Sequence, residues 1–368
     1  MSSTHLKSEA ERTRAEERRD FLRRAGWGAA LAAPLAGDAS TRRYERLALG
    51  TRKAVLMDAP PAAESAACPP AATPDERRRL GYNAMARLAG PNLNAFVAIS
   101  DALRGAGLSA PEIFAAEPST GFALIEDLGD DLYARAIPRG APEAELYAAA
   151  IDALLALHEA APTPPKTAGY EMLAYDATAM EAEAMLVPDW YWPHLKGAPA
   201  SDDLKAEYHA AFAPALARLT PPSTIVLRDY HAENLLWLPA RLGISRVGVI
   251  DFQDGLVGNS AYDLVSLLED ARRDVGEDLA EAMIRRYAAG ALARGGFDEE
   301  AFRRDYAILG AQRNAKILGI FARLVNRDRK PKYAEFFPRV EAHFRRDLAH
   351  GELAPLAAFF RRHFGDRF

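Results

Sequence analysis

The chain has 368 residues, 49% of them hydrophobic, and a formal net charge of −5. This length favours two domains or lobes over one small domain. The mild acidity gives no reason to expect a nucleic-acid or membrane-surface partner. Cys68 is the one cysteine, so no internal disulfide can form and a reducing compartment is expected. No apolar run reaches the roughly 18 residues of a membrane span, and we predict a cytoplasmic protein.

The first third of the chain predicts a small mixed α/β lobe. Residues 8–25 alternate acid and base at helical spacing, which predicts a solvated helix with Phe21 and Leu22 as its inward contact. LAGDASTRRYERLAL then predicts strand, turn and strand, and KAVLMDAPP a buried strand stopped by proline. Two strands that turn at 118–121 complete the lobe, which we assign to residues 1–128, led by the charged helix of residues 1–25. Two more helices are predicted near 75–89 and 93–106.

Residues 129–368 predict a second, mainly helical lobe. Apolar residues recur there every three or four positions. Helices are expected at 143–160, 172–187, 201–218, 260–294, 299–325 and 335–364. Only STIVLRDYHAENLLWL and RVGVIDF have the pattern of strands. The expected fold class is α+β, with a small N-lobe and a large helical C-lobe.

A polar stretch, RDYHAEN at 228–234, lies between two apolar runs, and VGVIDF ends a nearby strand on Asp251. Phosphoryl transfer needs one carboxylate for the proton of the attacking hydroxyl. It also needs an amide oxygen and a second carboxylate that hold Mg²⁺ against the nucleotide phosphates. Asp229, Asn234 and Asp251 supply these groups. The alternatives are ordinary turn residues, or a metal-dependent hydrolase in which His231 ligates the ion.

The combination LRDYHAENLLWL…VGVIDFQDGLVGNSAYDLVSLL resembles the catalytic core of the aminoglycoside phosphotransferase/choline kinase-like family. This resemblance implies a two-lobed protein-kinase-like fold, with Asp229 as the catalytic base and Asn234 and Asp251 as metal ligands. It places His231 at a frequent second histidine of the family, as a loop-ordering residue, and we also count it among the substrate-side candidates. Asp263 matches an acid that helps to order the same loop.

Further segments, in family order from about residue 35 to 345, are similar to the anomeric N-acetylmuramate/N-acetylglucosamine kinases of cell-wall recycling. They are GDASTRRYERL, AVLMDAPP, IEDLGDDLY, DWYWPHL and QRNAKILGIFARLVNRD. The similarity implies ATP and Mg²⁺ as cofactors, a small-molecule sugar substrate, and a sugar 1-phosphate product that passes to a nucleotidyltransferase. One departure is Leu227, where histidine is common in the wider family, and it weakens the match to the drug-modifying members.

The resemblance also implies a nucleotide site in the first lobe. GDASTRRY supplies a turn whose backbone amides and small hydroxyls can lie over phosphates, with Ser40, Thr41 and Arg43 as candidates. The alternative is a surface hairpin with basic residues. In LIEDLG, the backbone from Glu126 to Leu128 is expected to read the adenine edge.

A protein kinase carries a phosphate-pairing lysine on its third strand, but this chain has Met57 at the matching place. The similar sugar kinases share this departure. Arg42, Arg43 and Lys53 are the nearby cations. We predict that Arg43 replaces the lysine because it lies within the loop.

Three features suggest a sugar site. Trp190 and Tyr191 offer flat faces for a pyranose ring, with core packing as the alternative. Glu183 could accept hydrogen bonds from sugar hydroxyls. Arg313 and Lys316, three apart on one helix face, could meet the lactyl carboxylate of N-acetylmuramate or a phosphate. A solvated helix face is the alternative for that pair.

Three other functions stay open on the sequence. The same enzyme class could act on an aminoglycoside, choline, homoserine or another small alcohol, although the cations of QRNAK argue against a cationic substrate. The missing lysine suits a non-catalytic nucleotide-binding module, although such a module usually loses one of the three catalytic groups. A metal hydrolase would cleave a phosphoester without ATP. N-acetylmuramate and N-acetylglucosamine fit the sequence equally well.

Overall fold

A five-stranded antiparallel sheet dominates the first part of the chain, in a computed structural model that describes residues 2–35, 42–60, 68–88, 92–160, 163–167 and 169–368. Its strands are β1 (Leu31–Pro34), β2 (Arg43–Leu49), β3 (Arg52–Asp58), β4 (Ile113–Glu117) and β5 (Phe122–Ile125), in the order β1-β2-β3-β5-β4. The accompanying helices are α1 (Ser2–Arg24), α2 (Pro74–Leu80) and α3 (Leu93–Gly105), with a π-helical turn at Asn83–Arg87. The strands and helices predicted for this lobe have counterparts among the described residues, with two corrections. The first strand lies at Leu31–Pro34, just before LAGDAS, and the helix predicted near 75–89 is divided into α2 and the π-helical turn. The turn predicted between the first two strands lies outside the described residues.

The two faces of this sheet are buried against different helices. Since successive strand residues point to opposite faces, Leu47, Leu56 and Phe122 share one face and pack with α1. Phe21 of α1 stacks on Phe122 with ring centroids 5.6 Å apart. Phe21 and Leu22 are both buried, which confirms them as the inward contact of the charged helix.

The opposite face of the sheet belongs to the main core of the protein. Val55, Met57 and Ile125 lie in one cluster with Phe96 of α3. That cluster continues into the second part of the chain through Phe252, which stacks on Phe96 at 4.9 Å. One apolar core therefore fixes the sheet against the elements that carry the polar stretch.

The second part of the chain is mainly helical. Its helices are α4 (Tyr133–Ala136), α5 (Glu143–Ala160), α6 (Ala177–Ala184), α7 (Trp192–Lys196), α8 (Asp202–Leu216), α9 (Ala261–Leu268), α10 (Glu277–Leu292), α11 (Glu299–Asn326), α12 (Phe337–Asp347) and α13 (Ala354–Phe364). Its strands are β6 (Lys166–Thr167), β7 (Tyr170–Glu171), β8 (Thr224–Val226), β9 (Leu235–Trp237), β10 (Val247–Val249) and β11 (Leu256–Gly258). Short turns of 3₁₀ helix lie at Ile137–Arg139, Gly243–Arg246, Pro331–Phe336, Gly351–Leu353 and Gly365–Arg367, and a π-helical turn lies at Val187–Tyr191.

Three helix predictions were too long. The segment predicted at 260–294 is two helices, α9 and α10, because the chain turns out of α9 at Glu269, whose buried side chain accepts a hydrogen bond from Asn314. The segment at 335–364 is likewise interrupted between α12 and α13. The helix predicted from residue 172 begins at Ala177, since Ala174 bridges to Val257 as extended chain. Strand β11 and the β6–β7 hairpin had no predicted counterpart.

Helix α11 is the centre of the helical part. It packs against α6, α9 and α12, and its buried residues include the polar side chains of Gln312, Arg313 and Asn314. Within the described ranges, no helix is both long and apolar enough to cross a membrane. The lobe boundary at residue 128 stays a prediction.

Candidate active site

The polar stretch forms a loop between two short antiparallel strand pairs. Strand β8 enters the loop and pairs with β11, while β9 leaves it and pairs with β10. The amide of Ile250 donates to the carbonyl of Asn234 at 3.0 Å. This hydrogen bond joins the start of β9 to the end of β10. It therefore brings Asn234 close to Asp251, the residue after Ile250, although the two are 17 positions apart in the chain.

Asp263 anchors the backbone of the loop. Its carboxylate is fully buried and accepts the amide of Leu227 at 2.7 Å and that of Arg228 at 2.9 Å. Arg228 has a φ of 70°, the left-handed region that a side chain with a Cβ rarely adopts. The loop-ordering role expected of Asp263 is thereby confirmed, and Asp229 follows directly on this turn.

The Asn234 side chain is held through its nitrogen. Its Nδ2 donates to the carbonyl of Asp229 at 3.0 Å, which fixes the amide and directs its oxygen away from that bond. Asp251 follows β10 with a φ of 58°, and its Oδ1 accepts from Gln253 at 2.7 Å. Mg²⁺ in kinases is held by one or two protein oxygens plus substrate phosphates, so an amide and a carboxylate fit that ion.

The surroundings of Asp229 and Asp251 shift the pKa values of these two acids in opposite directions. Desolvation would raise the pKa of Asp229, but its charge interactions with His231, Lys316, Arg228 and Arg313 outweigh that effect, and its pKa lies below the usual value. Desolvation and the charge of Asp229 raise the pKa of Asp251, against the hydrogen bond from Gln253. A cation beside Asp251 lowers this pKa again, as the charge of Arg42 already does in part. The site therefore holds Asp229 ionised and favours a positive charge at Asp251.

A buried ionic cluster lies beside the loop. Glu183, only 2% exposed, pairs with Arg228 and with Lys316, whose Nζ is 2.9 Å from the carboxylate. Tyr175 and Gln312 donate to its other oxygen. Burial would raise the pKa of Glu183, but the two cations and the tyrosine lower it. The cluster joins α6, α11 and the loop.

A model of the phosphotransferase enzyme family matches residues 32–303. The chain belongs to this family. The family's members transfer a phosphoryl group, and this chain is a phosphotransferase with an alcohol group as acceptor. Membership implies, in general terms, a nucleoside triphosphate, a divalent metal ion and a small-molecule substrate.

Two family members show how much of the chain is similar. One is an N-acetylmuramate/N-acetylglucosamine kinase of Caulobacter vibrioides, 47% identical over 97% of this chain and 98% of that protein. The other bears the same name in Pseudomonas aeruginosa and is 34% identical over 85% of this chain and 83% of that protein. Both alignments extend across the sheet and the helical part.

Solved structures of the family share the fold. The aminoglycoside phosphotransferase APH(4)-Ia superposes with a TM-score of 0.53 over 92% of this chain and 99% of that one, at 15% identity. A microcompartment-associated aminopropanol kinase gives 0.52 over 86% and 93%, at 14% identity. The expected two-lobed, protein-kinase-like α+β fold is confirmed.

The residues predicted to bind the nucleotide differ in where the structure places them. Ser40 and Thr41 lie outside the described residues. Arg43 is exposed at the start of β2 and lies opposite Asp58 of β3. Glu126 and Leu128 lie just after β5. The amide of Glu126 donates to the carbonyl of Glu112 at 2.8 Å, and its carboxylate pairs with Arg241.

The side chains predicted to bind the sugar also differ in their surroundings. Lys316 is 16% exposed and, like Arg313, is near enough to Asp229 to lower its pKa. Arg313 is buried and donates to the carbonyl of Glu269 at 3.3 Å, so its guanidinium acts on the site through its charge. Glu183 lies beneath the surface with both oxygens engaged, which corrects its prediction as a direct sugar ligand: it holds Lys316 instead.

The aromatic candidates separate clearly. Trp190 is partly exposed, with the guanidinium of Arg327 5.9 Å above its ring, and it stays a stacking candidate. Tyr191 is fully buried and its hydroxyl donates to Glu341, so the core alternative is right for this ring.

His231 belongs to the loop, and its side chain is buried. Its Nε2 lies 3.5 Å from Arg272, and its Nδ1 has no hydrogen-bond partner among the described residues. Desolvation lowers its pKa against the charges of Asp270 and Asp229. This burial leaves little surface for a substrate, and the loop-ordering role of His231 stays a prediction.

Two sets of ion pairs in the structure were not predicted from the sequence. Arg87, at the end of the π-helical turn before α3, makes a two-pronged ion pair with Asp254 at 2.7 and 3.2 Å. Arg46 of β2 reaches Asp127 at 2.7 Å and Asp130 at 2.9 Å. These ion pairs join residues more than 80 positions apart in the chain. The only sequence signal for them is that acidic residues follow the strands.

Proposed function

We propose that this chain transfers the γ-phosphoryl group of ATP, with Mg²⁺, to the anomeric hydroxyl of N-acetylmuramate or N-acetylglucosamine. The observation that carries the proposal is the meeting of Asp229, Asn234 and Asp251 at two joined strand ends. The names of the similar proteins supply the sugar class, and the alignment covers nearly the whole chain. The product would be a sugar 1-phosphate.

Each group has a defined task in this proposal. Asp229, kept ionised by the surrounding cations, orients the sugar hydroxyl and accepts its proton. Asn234 and Asp251 would hold Mg²⁺, which when bound neutralises charge on the phosphates. Lys316, held by Glu183, brings a positive charge to the acceptor side of the site. Positioning and charge supply most of the catalysis in such a transfer.

The adenine would lie at the segment after β5. Because the amide of Glu126 is used by Glu112, we assign adenine recognition to the carbonyl of Glu126 and the amide of Leu128. The ion pairs of Arg46 with Asp127 and Asp130 fix this segment against β2. We place the reaction in the cytoplasm, in peptidoglycan recycling, and assign the next step to a nucleotidyltransferase.

The first test measures ADP release from Mg²⁺-ATP with N-acetylmuramate or N-acetylglucosamine in parallel, and identifies the product by phosphorus NMR. An Asp229→Asn variant should lose about 10²–10⁴-fold in kcat, as for loss of a general base. The methyl glycosides of both sugars, which lack a free anomeric hydroxyl, should not be phosphorylated. Turnover of a methyl glycoside would disprove the anomeric position, and no turnover of either free sugar would disprove the sugar class.

A Lys316→Met variant tests the acceptor side. If Lys316 meets the lactyl carboxylate, kcat/KM should fall more for N-acetylmuramate than for N-acetylglucosamine, which lacks that group. An equal fall for both sugars would assign the lysine to the transferred phosphate. A cationic acceptor such as an aminoglycoside would meet repulsion from Lys316 and Arg313, so the variant should improve its binding if the drug-type alternative is right.

A further inference from the structure

The third strand of the sheet carries no cation at its catalytic end. Protein kinases place there the lysine that pairs with the α- and β-phosphates. Here Met57 occupies the position, is 2% exposed, and packs in the main core with Val55 and Ile125. Some other residue must therefore face the phosphates if the chain binds a nucleotide.

The register of β2 and β3 places Arg43 on the opposite face of the sheet from Met57. Arg43 lies opposite Asp58, and Asp58 is bound by Arg14 of α1, whose Nε is 3.1 Å from its carboxylate. Residues directly opposite in an antiparallel pair share a face, so Arg43 belongs to the face that α1 covers. Met57 belongs to the other face, because neighbouring positions alternate.

Arg42 lies on the cleft side. Tyr44 is opposite Met57 in the register, and Arg42, two residues earlier, shares a hydrogen bond with the Tyr44 side chain. The Nη1 of Arg42 is 3.6 Å from Oδ1 of Asp251, and the side chain is only 9% exposed. A cation that directly precedes β2 thus lies beside Asp251, two residues after the end of β10.

We propose that Arg42 replaces the missing lysine and binds the α- and β-phosphates of the nucleotide. The inference rests on the proposed function, because it concerns the nucleotide of that reaction. A guanidinium is always charged and matches phosphate oxygens with two parallel hydrogen bonds. Arg42 and a divalent ion would both neutralise Asp251, so nucleotide binding redirects Arg42 from that carboxylate to the phosphates.

Calorimetric titration of ADP tests this directly, with and without Mg²⁺, on the wild type and on Arg42→Ala and Arg43→Ala variants. Arg42→Ala should weaken ADP binding at least about tenfold, as expected for a lost charge-assisted hydrogen bond. The loss should persist in EDTA, because the contact is to phosphate. It should disappear with adenosine, which has no phosphate. Arg42→Lys should recover part of the affinity.

The possible outcomes distinguish the proposed function from the proposed role of Arg42. No ADP binding by the wild type would overturn the proposed function and this inference with it. ADP binding that is the same in the wild type and in Arg42→Ala would overturn the inference alone. Equal weakening of ADP and adenosine would also overturn it, since it would show that Arg42 shapes the cleft without meeting a phosphate. A larger effect from Arg43→Ala would restore the loop prediction.

Discussion

Asp263 holds Arg228 in a left-handed conformation. The carboxylate accepts the Arg228 amide at 2.9 Å, and the residue has a φ of 70°. Such a conformation costs a non-glycine residue about 1–3 kcal/mol and persists only where its surroundings enforce it. Asp263 therefore fixes the direction in which Asp229 leaves the turn, without contacting a substrate.

The Asp263→Asn variant should separate this positioning role from binding. Asparagine has one acceptor oxygen, so one of the two backbone amides loses its partner at a cost of about 1–3 kcal/mol. We expect the free energy of unfolding to fall by that amount and kcat to fall, with KM for ATP little changed. Urea denaturation and steady-state kinetics measure the three quantities. Asp101→Asn, at an exposed position of α3, is the control. An unchanged kcat in Asp263→Asn would contradict the positioning role.

The Glu183→Ala variant should lower the free energy of unfolding more than it lowers the affinity for the sugar. It leaves the buried Arg228 and the largely buried Lys316 without their counter-ion, and removing one partner of a buried pair costs about 3–5 kcal/mol. We expect a large fall in the free energy of unfolding, measured by denaturant titration.

Glu181→Ala is the matched control, since it lies on the same helix with a side chain 39% exposed, and its stability should hardly change. If Glu183→Ala keeps the wild-type stability and raises only KM for the sugar, Glu183 is a sugar ligand after all.

The grouping of Asp229, Asn234 and Asp251 could be predicted from the sequence, because two of them lie in one short loop and the third follows a strand. Asp229 and Asn234 share one loop, and Asp251 follows a three-residue apolar strand with one residue between. Their spacing reflects local backbone geometry, which sequence patterns record well. The same holds for Phe21 and Leu22, whose spacing against charged neighbours marks the inward side of α1.

The choice between Arg42 and Arg43 could not be made from the sequence. Adjacent strand residues point to opposite faces, so a shift of one position exchanges the cleft for the α1 side. The register that decides this pairs Arg43 with Asp58 of β3, 15 positions away in the chain. The same is true of Glu183, because its pairing with Arg228 and Lys316 depends on the packing of α6, α11 and the loop at 228–234, which a helix pattern does not record.

A Gly319→Ala variant should destabilise the protein. A Cβ at Gly319 would lie 2.3 Å from the Leu186 Cβ and 2.6 Å from its backbone carbonyl, so α11 must move away from the chain that follows α6. Such overpacking costs about 1–3 kcal/mol or more. Thermal denaturation measures the loss, and Gly276→Ala, with nothing within 4 Å of its added Cβ, is the control. A Gly319→Ala protein as stable as Gly276→Ala would show that the two segments can separate without cost.

His158 should make the protein sensitive to mild acid. Desolvation, with the charge of Arg294, lowers its pKa to about 3, and its Nδ1 bonds the Tyr287 hydroxyl at 2.7 Å. In the unfolded chain a histidine has a pKa of about 6.5. Between these values the unfolded state takes up a proton that the native state excludes. The free energy of unfolding therefore falls as the pH drops from about 6.5 towards 3, by up to about 1.4 kcal/mol per pH unit.

Urea denaturation at pH 7, 6, 5 and 4 measures this slope. His158→Gln can keep a hydrogen bond to Tyr287 but cannot titrate, so its stability should depend less steeply on pH than that of the wild type. His209→Gln, whose side chain is half exposed in the wild type, should keep the wild-type slope. If His158→Gln and the wild type lose stability in parallel, His158 binds its proton equally well in both states, and the acid sensitivity must come from other groups such as the buried His343.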